Sequence, residues 1–278
     1  MQHRELTFHG EGGLELFSRC WQPDAAPGGV LAVVHGIGEH SGRYMNLVDH
    51  FVPRGWVVYG FDHRGHGRSP GQRGHINRWE EYRSDVAAFL RMIGEREPRL
   101  PLFLFGHSLG ALIALDFVMH HPGGLRGVVV TGAPLDPVGV AKPHLVAITR
   151  LLSSIWPRFT LRTRLDVSAL SRDPAVARGY TADPLVHGLA TVRWGSEALA
   201  TIAAVKSAPE RIRIPIFLLH GGADGLNAAE GSRRFFERLT AADKTLRIYA
   251  GSFHELHNDV NKEEVLHDIE QWLLAHLN

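Results

Sequence analysis

Short apolar runs alternate along this chain with stretches whose apolar residues recur every three or four positions. The runs cover residues 30–34, 56–61, 100–105, 128–131, 214–219 and 246–249. They are rich in β-branched and aromatic residues and bounded by Gly and Pro, which predicts strands buried on both faces, as in a parallel sheet. Residues 79–93 carry Tyr82, Val86, Phe89, Leu90 and Ile93 at helical spacing. Residues 111–120 and 264–277 repeat that pattern, the latter with Leu266, Ile269, Trp272, Leu273 and Leu277. Ahead of them, residues 6–8, a Gly-Glu-Gly-Gly turn at 10–13 and residues 14–20 predict an opening hairpin. Strands that alternate with helices predict an α/β fold built on a mostly parallel, doubly wound sheet.

One region breaks the rhythm. From 135 to 208 the sequence is helix-like and loop-like without a convincing strand, and prolines stand at 137, 143, 157, 174 and 184. It reads as a helical cap (135–208) inserted after strand six, between a first core segment (1–134) and a second (209–278). Residues 144–156 are its clearest helix, with Leu145, Ile148, Leu152, Ile155 and Trp156 on one face. That face is expected either to pack onto the main domain, or to line an acyl tunnel or lean transiently on a membrane or micelle.

Composition narrows the function classes. The chain has 278 residues, 44% hydrophobic and 21% charged, an ordinary globular mix. Its net charge of +1 offers no electrostatic argument for nucleic-acid binding. A single cysteine, Cys20, excludes an internal disulfide and reads as a small buried apolar residue. The first residues lack the apolar core of a secretory signal, and no apolar run is long enough to cross a bilayer, so a cytoplasmic location is expected. There are 18 histidines, but no H-E-x-x-H pattern and no zinc-type cysteine spacing, and no metal site is expected.

The most informative motif is Gly106-His107-Ser108-Leu109-Gly110, which has the form G-x-S-x-G. It lies between a predicted strand and a predicted helix, the setting that holds a serine on a strained, exposed turn. Side chains at Gly106 or Gly110 would crowd that turn. A serine hydroxyl needs a base, and the base needs a group that fixes its tautomer. In this architecture the partners follow in the order acid, then histidine. Asp224 stands just after the run 214–219, and His254 just after 246–249. Asp136 is a rival acid after an earlier strand, and His257 a rival base on a helical turn. The oxyanion formed in acyl transfer needs preorganised donors. The Leu109 N–H, directly after the serine, is one, and the Ile37 N–H, in the glycine loop after residues 30–34, is the other.

Several segments resemble one family. His35-Gly36-Ile37-Gly38-Glu39-His40-Ser41-Gly42-Arg43-Tyr44 is similar to the oxyanion loop of monoacylglycerol lipases and the related lysophospholipase-like serine hydrolases. Asp62-His63-Arg64-Gly65-His66-Gly67-Arg68-Ser69 resembles their D-x-R-G-H-G-x-S segment. The stretch from Ser168-Ala169-Leu170-Ser171-Arg172 to Asp183-Pro184-Leu185 looks like their cap, and Ala223-Asp224 and Phe253-His254-Glu255-Leu256-His257 like their acid and base loops. The resemblance spans almost the whole chain. It implies an α/β-hydrolase core with a cap between strands six and seven, and a Ser108–Asp224–His254 triad. It further implies that Glu39, Arg43 and His257 hold the polar alcohol end of a monoglyceride, although a local salt bridge that fixes the loop is an equal reading for Glu39 and Arg43.

The expectation is thus a serine carboxylester hydrolase that works without a cofactor and splits monoacylglycerols or similar mono-esters through an acyl-enzyme. The same triad would serve a broad-specificity esterase, a lysophospholipase or a thioesterase. A hydrolase-fold binding protein without turnover is the non-enzymatic alternative.

Overall fold

The computed structural model describes residues 1–121, 123–139, 143–163 and 165–277, without the side chains of 143–145. Eight strands form the main sheet. They are β1 (Gln2–His9), β2 (Glu15–Gln22), β3 (Gly29–Val34), β4 (Trp56–Phe61), β5 (Leu102–His107), β6 (Gly127–Thr131), β9 (Ile216–Gly221) and β10 (Lys244–Tyr249). Their spatial order is β1-β2-β4-β3-β5-β6-β9-β10. The β1–β2 hairpin is antiparallel, β2 pairs antiparallel with β4, and every later pairing is parallel, so β2 alone runs against the rest.

In the inner strands the apolar runs follow from burial on two sides. The run 246–249 is expected to share this, but β10 is an edge strand, only partly buried, with Arg247 exposed. In β3, Val30, Ala32 and Val34 join one core, and Leu31 and Val33 the other. The first core lies under α2 (Glu80–Arg96), α3 (Leu109–His120) and α7 (Ala229–Arg238); the second lies under α1 (Met45–Phe51) and α8 (Lys262–Ala275). Helix α3 is buried from Leu109 to Met119, because Ala198 and Val205 of the inserted region cover the side that the sheet leaves open.

Two strands start two residues later than the apolar runs suggest. Pro101 and Pro215 have no N–H to give a ladder, so β5 begins at Leu102 and β9 at Ile216. Their carbonyls still accept, from Val30 and Val128. At its other end β5 runs to His107, directly against Ser108.

Between β6 and β9 lie α4 (Pro143–Ile155), β7 (Thr160–Arg162), α5 (Pro174–Ala182), β8 (Leu189–Thr191) and α6 (Val192–Ser207). The expectation of a strandless region needs correcting, since β7 and β8 pair antiparallel. Three residues are too few for a period-2 pattern to register, and the partners are far apart in sequence. The expected α4 face is also drawn differently. Ile148, Leu151, Ile155 and Trp156 point outward, at 51, 63, 63 and 66% exposure. Leu152 is half-buried and Ser153 buried, on the side where Arg193 of α6 donates to the Ser153 carbonyl. The Leu145 side chain lies outside the described residues.

Candidate active site

Ser108 is the sole non-glycine residue with positive φ among the described residues, at φ 52° and ψ −116°. Such a backbone costs about 1–3 kcal/mol and persists only where the surroundings enforce it. The enforcement is visible. A Cβ on Gly106 would strike the Gly110 carbonyl oxygen, and one on Gly110 would strike that of Val34. The helix therefore starts hard against two strands. The Ser108 N–H donates to the Thr131 carbonyl at 2.9 Å, which ties the turn to the end of β6.

Asp224 and His254 meet on the same rim, from the loops after β9 and β10. His254 Nδ1 lies 2.7 Å from Asp224 Oδ2, and both residues are buried. The other carboxylate oxygen, Oδ1, accepts the N–H groups of Leu226 and Asn227 at 2.8 and 3.0 Å. Burial pushes the Asp224 pKa up, but the His254 charge, bonds from His220 and His254 and the Asn227 N–H outweigh it and hold the carboxyl below its usual range. For His254, burial pulls the pKa down and the Asp224 carboxylate more than restores it, so the imidazole sits above its ordinary value. With Nδ1 donating to Asp224, Nε2 keeps a free lone pair. The ring lies over Gly132, where a methyl group would come to 3.0 Å from Cε1, one residue past the carbonyl that holds the Ser108 N–H. Its centroid is 4.7 Å from that of His107, the neighbour of Ser108.

The rival acid is elsewhere. Asp136 is a surface residue, ion-paired with Arg234 at 2.6 Å. The rival base, His257, sits on a 3-10 turn (Leu256–Asn258), stacked on Tyr44 with ring planes 9° apart at 4.8 Å. It is fully buried, burial lowers its pKa to about 4, and neither ring nitrogen has a hydrogen-bond partner among the described residues.

The loop after β3 closes the site. A Cβ on Gly36 would lie 3.3 Å from the Ser108 Cβ, so this backbone runs beside the serine. Ile37 follows it, and Leu109 opens α3, where the first N–H groups have no partner within the helix. Glu39 holds the loop's shape. Its Oε1 accepts the Gly36 N–H at 2.6 Å and the Tyr44 hydroxyl at 2.7 Å, and its Oε2 accepts Arg43 Nε at 3.1 Å. Arg43 Nη2 then donates to both oxygens of Glu255 at 2.9 Å, with the Tyr180 ring 4.7 Å from its guanidinium. The D-x-R-G-H-G-x-S segment supports the same loop from below: Asp62, fully buried, accepts the N–H and hydroxyl of Ser41 at 2.8 and 2.6 Å.

The family match described as "Serine aminopeptidase, S33" spans residues 25–261. The chain belongs to this family of hydrolases. It is 34% identical over 276 residues to a monoacylglycerol lipase of Mycolicibacterium smegmatis, with 98% of each chain covered. It is 33% identical to the human monoglyceride lipase over 94% of this chain and 87% of the human one. Among solved structures, the monoacylglycerol lipase of Paleococcus ferrophilus is 36% identical and superposes with a TM-score of 0.87 over 95% of this chain and 100% of the other. The α/β-hydrolase fold read from the sequence is the fold these proteins share.

Three participants carried no assigned role in the sequence. Glu255 is buried and faces Arg43, which comes from a loop 212 residues earlier. Asp183 of the insertion accepts from His40 Nε2 at 2.8 Å, while His40 Nδ1 caps the turn at Gly42. Asp259 ties the insertion to the His254 loop. Each joins segments far apart in the chain, so no local spacing announces them. Among the described residues, no group of three or more His, Cys, Asp or Glu is arranged to hold a metal.

Proposed function

We propose that this chain hydrolyses monoacylglycerols, or similar mono-esters with a medium or long acyl chain, through a covalent acyl-enzyme. The carrying observation is the strained Ser108 turn beside a buried Asp224–His254 pair. Ser108 Oγ attacks the ester carbonyl as His254 Nε2 takes its proton, and Asp224 stabilises the imidazolium that forms. The Ile37 and Leu109 amides hold the oxyanion. His254 then protonates the departing alcohol, and water activated by the same ring releases the fatty acid. Nothing in this sequence of steps calls for a cofactor.

Glu39, Arg43 and His257 serve the alcohol side. Glu39 acts through the loop, because its oxygens already accept three protein donors. Residues 135–208 act as the cap, a reading supported by backbone bonds to the oxyanion loop (His187 N–H to the Gly38 carbonyl, 2.8 Å) and to the His254 loop (Glu255 N–H to the Leu170 carbonyl, 2.7 Å). The outer face of α4, continued by Phe159 and Leu161 at 50 and 51% exposure, meets the membrane or micelle that carries the substrate. No described helix is long and apolar enough to cross a membrane. The single buried thiol fits a reducing compartment, and we place the protein in the cytoplasm.

A hydrolysis panel of p-nitrophenyl esters and monoglycerides of graded chain length tests the substrate class. Turnover confined to short soluble esters would remove the monoacylglycerol reading. Failure of a fluorophosphonate to label Ser108 would remove the enzyme reading and leave a binding protein.

A further inference from the structure

The loop that carries His254 runs from the end of β10 to the start of α8 and contains no regular element beyond the short turn Leu256–Asn258. Its shape must come from what flanks it. On one side lies the Asp224 loop, where Gly222 donates to the Tyr249 carbonyl at 2.7 Å and Ala223 to the Ser252 carbonyl at 3.0 Å. On the other side lies the insertion. The His254 N–H donates to the Ala169 carbonyl at 3.3 Å, and the Glu255 N–H to that of Leu170 at 2.7 Å. The base loop is thus the middle layer of three irregular segments.

Asp259 closes this arrangement. It is fully buried, and every donor around it belongs to the loop or the insertion. Its Oδ2 accepts the Phe253 N–H at 2.8 Å, directly before His254, and Arg172 Nε at 3.0 Å. Its Oδ1 accepts the Arg172 N–H at 2.9 Å, the Val260 N–H at 2.9 Å and Arg172 Nε at 3.2 Å, while the Ser171 hydroxyl, 3.3 Å away, is shared with the nearer Asn258 carbonyl at 3.0 Å. Arg172 Nη2 extends the clamp to Asn261 Oδ1 at 2.6 Å and Ser252 Oγ at 3.2 Å. A carboxylate satisfies this set because it only accepts; an amide would turn one acceptor into a donor facing donors.

We propose that Asp259 and Arg172 are positioning residues, which lock the base loop to the insertion and thereby set the His254 imidazole on Asp224. The proposal rests on His254 being the base. It gives the inner part of the insertion a part in the chemistry: residues 169–172 and the base loop form one unit, and the insertion cannot swing away as a whole without displacing the imidazole.

The test compares D259N, R172K and H254A with the wild type. Rates are expressed per active site titrated with a fluorophosphonate (for H254A, per folded protein), over a pH series on a short soluble ester. D259N should lower kcat roughly 10- to 100-fold with KM changed less than about threefold, as a misplaced catalytic group does. Its acid limb in kcat/KM should move to lower pH, because a looser Asp224–His254 bond no longer lifts the imidazole. R172K should shift both in the same direction by less. A lower melting temperature with per-site kcat and acid limb like the wild type would reduce the clamp to a structural one and overturn the proposal. If D259N does not fold, R172K decides: unchanged kcat and limb overturn it. Turnover surviving in H254A would remove the base assignment, and this inference with it. A dead H254A beside a D259N like the wild type removes this inference alone.

Discussion

The rim of the sheet and the outer face of the insertion are built on opposite terms. At the rim, Ser108 is held in a conformation that other side chains avoid, and Glu39, Asp62, Asp224 and Asp259 each take several short hydrogen bonds from protein donors. On the outer face, Ile148, Leu151, Ile155 and Trp156 contribute apolar surface that the protein leaves uncovered. Geometry is therefore the scarce quantity at the rim, where a tenth of a nanometre changes a rate by orders of magnitude. Apolar area is what matters on the outer face, where one side chain can replace another. Changes at the rim should cost activity on every substrate; changes on the face should cost it only on aggregated ones.

The sharpest break is Ser108→Ala. It should leave the fold intact and lower kcat by roughly 10^4-fold or more on soluble and micellar substrates alike. Substantial residual hydrolysis by the purified variant would defeat the nucleophile assignment.

Glu39→Gln comes next. The substitution turns one acceptor oxygen into an N–H₂ that faces either Arg43, leaving it with Glu255 alone, or the Gly36 N–H and the Tyr44 hydroxyl. Loss of the loop's shape should lower kcat roughly 10- to 100-fold, less than the roughly 100- to 1000-fold of removing an oxyanion donor outright. Steady-state kinetics separate the two roles of this residue. A raised KM at unchanged kcat would place Glu39 on the substrate instead.

The buried histidines of the rim set a pH dependence of stability. Burial lowers the pKa of His35, His63, His66, His107 and His257, the last to about 4. In the unfolded chain they titrate near their ordinary value of about 6.5, so below that pH the unfolded state takes up protons that the folded state refuses. Stability then falls as pH drops from about 6.5 towards 4. His254 acts in the reverse sense: its raised pKa adds stability below about 6.5, lost as pH rises through the folded value, and it opposes these five. Melting temperatures measured from pH 7.5 to 4.5 should decline by several degrees, and a flat profile would contradict this account.

The smallest effect is expected on the outer face. Leu151→Asp should leave the melting temperature and short-ester turnover unchanged, and lower activity on micellar monoglycerides a few-fold. An equal loss on soluble esters would show that the face acts on the site rather than on the interface.

Much of this was legible in the one-dimensional pattern. Eight apolar segments and the glycines around Ser108 express constraints that act within a few residues, whereas Asp224 and His254 are expected from chain order alone and meet through loops 30 positions apart. The pair β7–β8 was not legible, because three-residue strands carry no period. Nor was the outward turn of Leu151 in place of Leu152: both fit an apolar helical stripe, and only the position of α6 separates them. The roles of Glu255 and Asp259 were hidden for the same reason. An acidic residue near a histidine is ordinary in sequence, and its meaning depends on Arg43 and Arg172 arriving from other segments.

Local sterics and hydrophobic burial thus wrote the sheet and the strained serine turn into the amino-acid sequence, since a tight turn or a doubly buried strand tolerates few residue types. Where the irregular loops lie against one another was decided only by tertiary packing. Their hydrogen bonds join residues tens to hundreds of positions apart, and a carboxylate's partners are set by what folds against it.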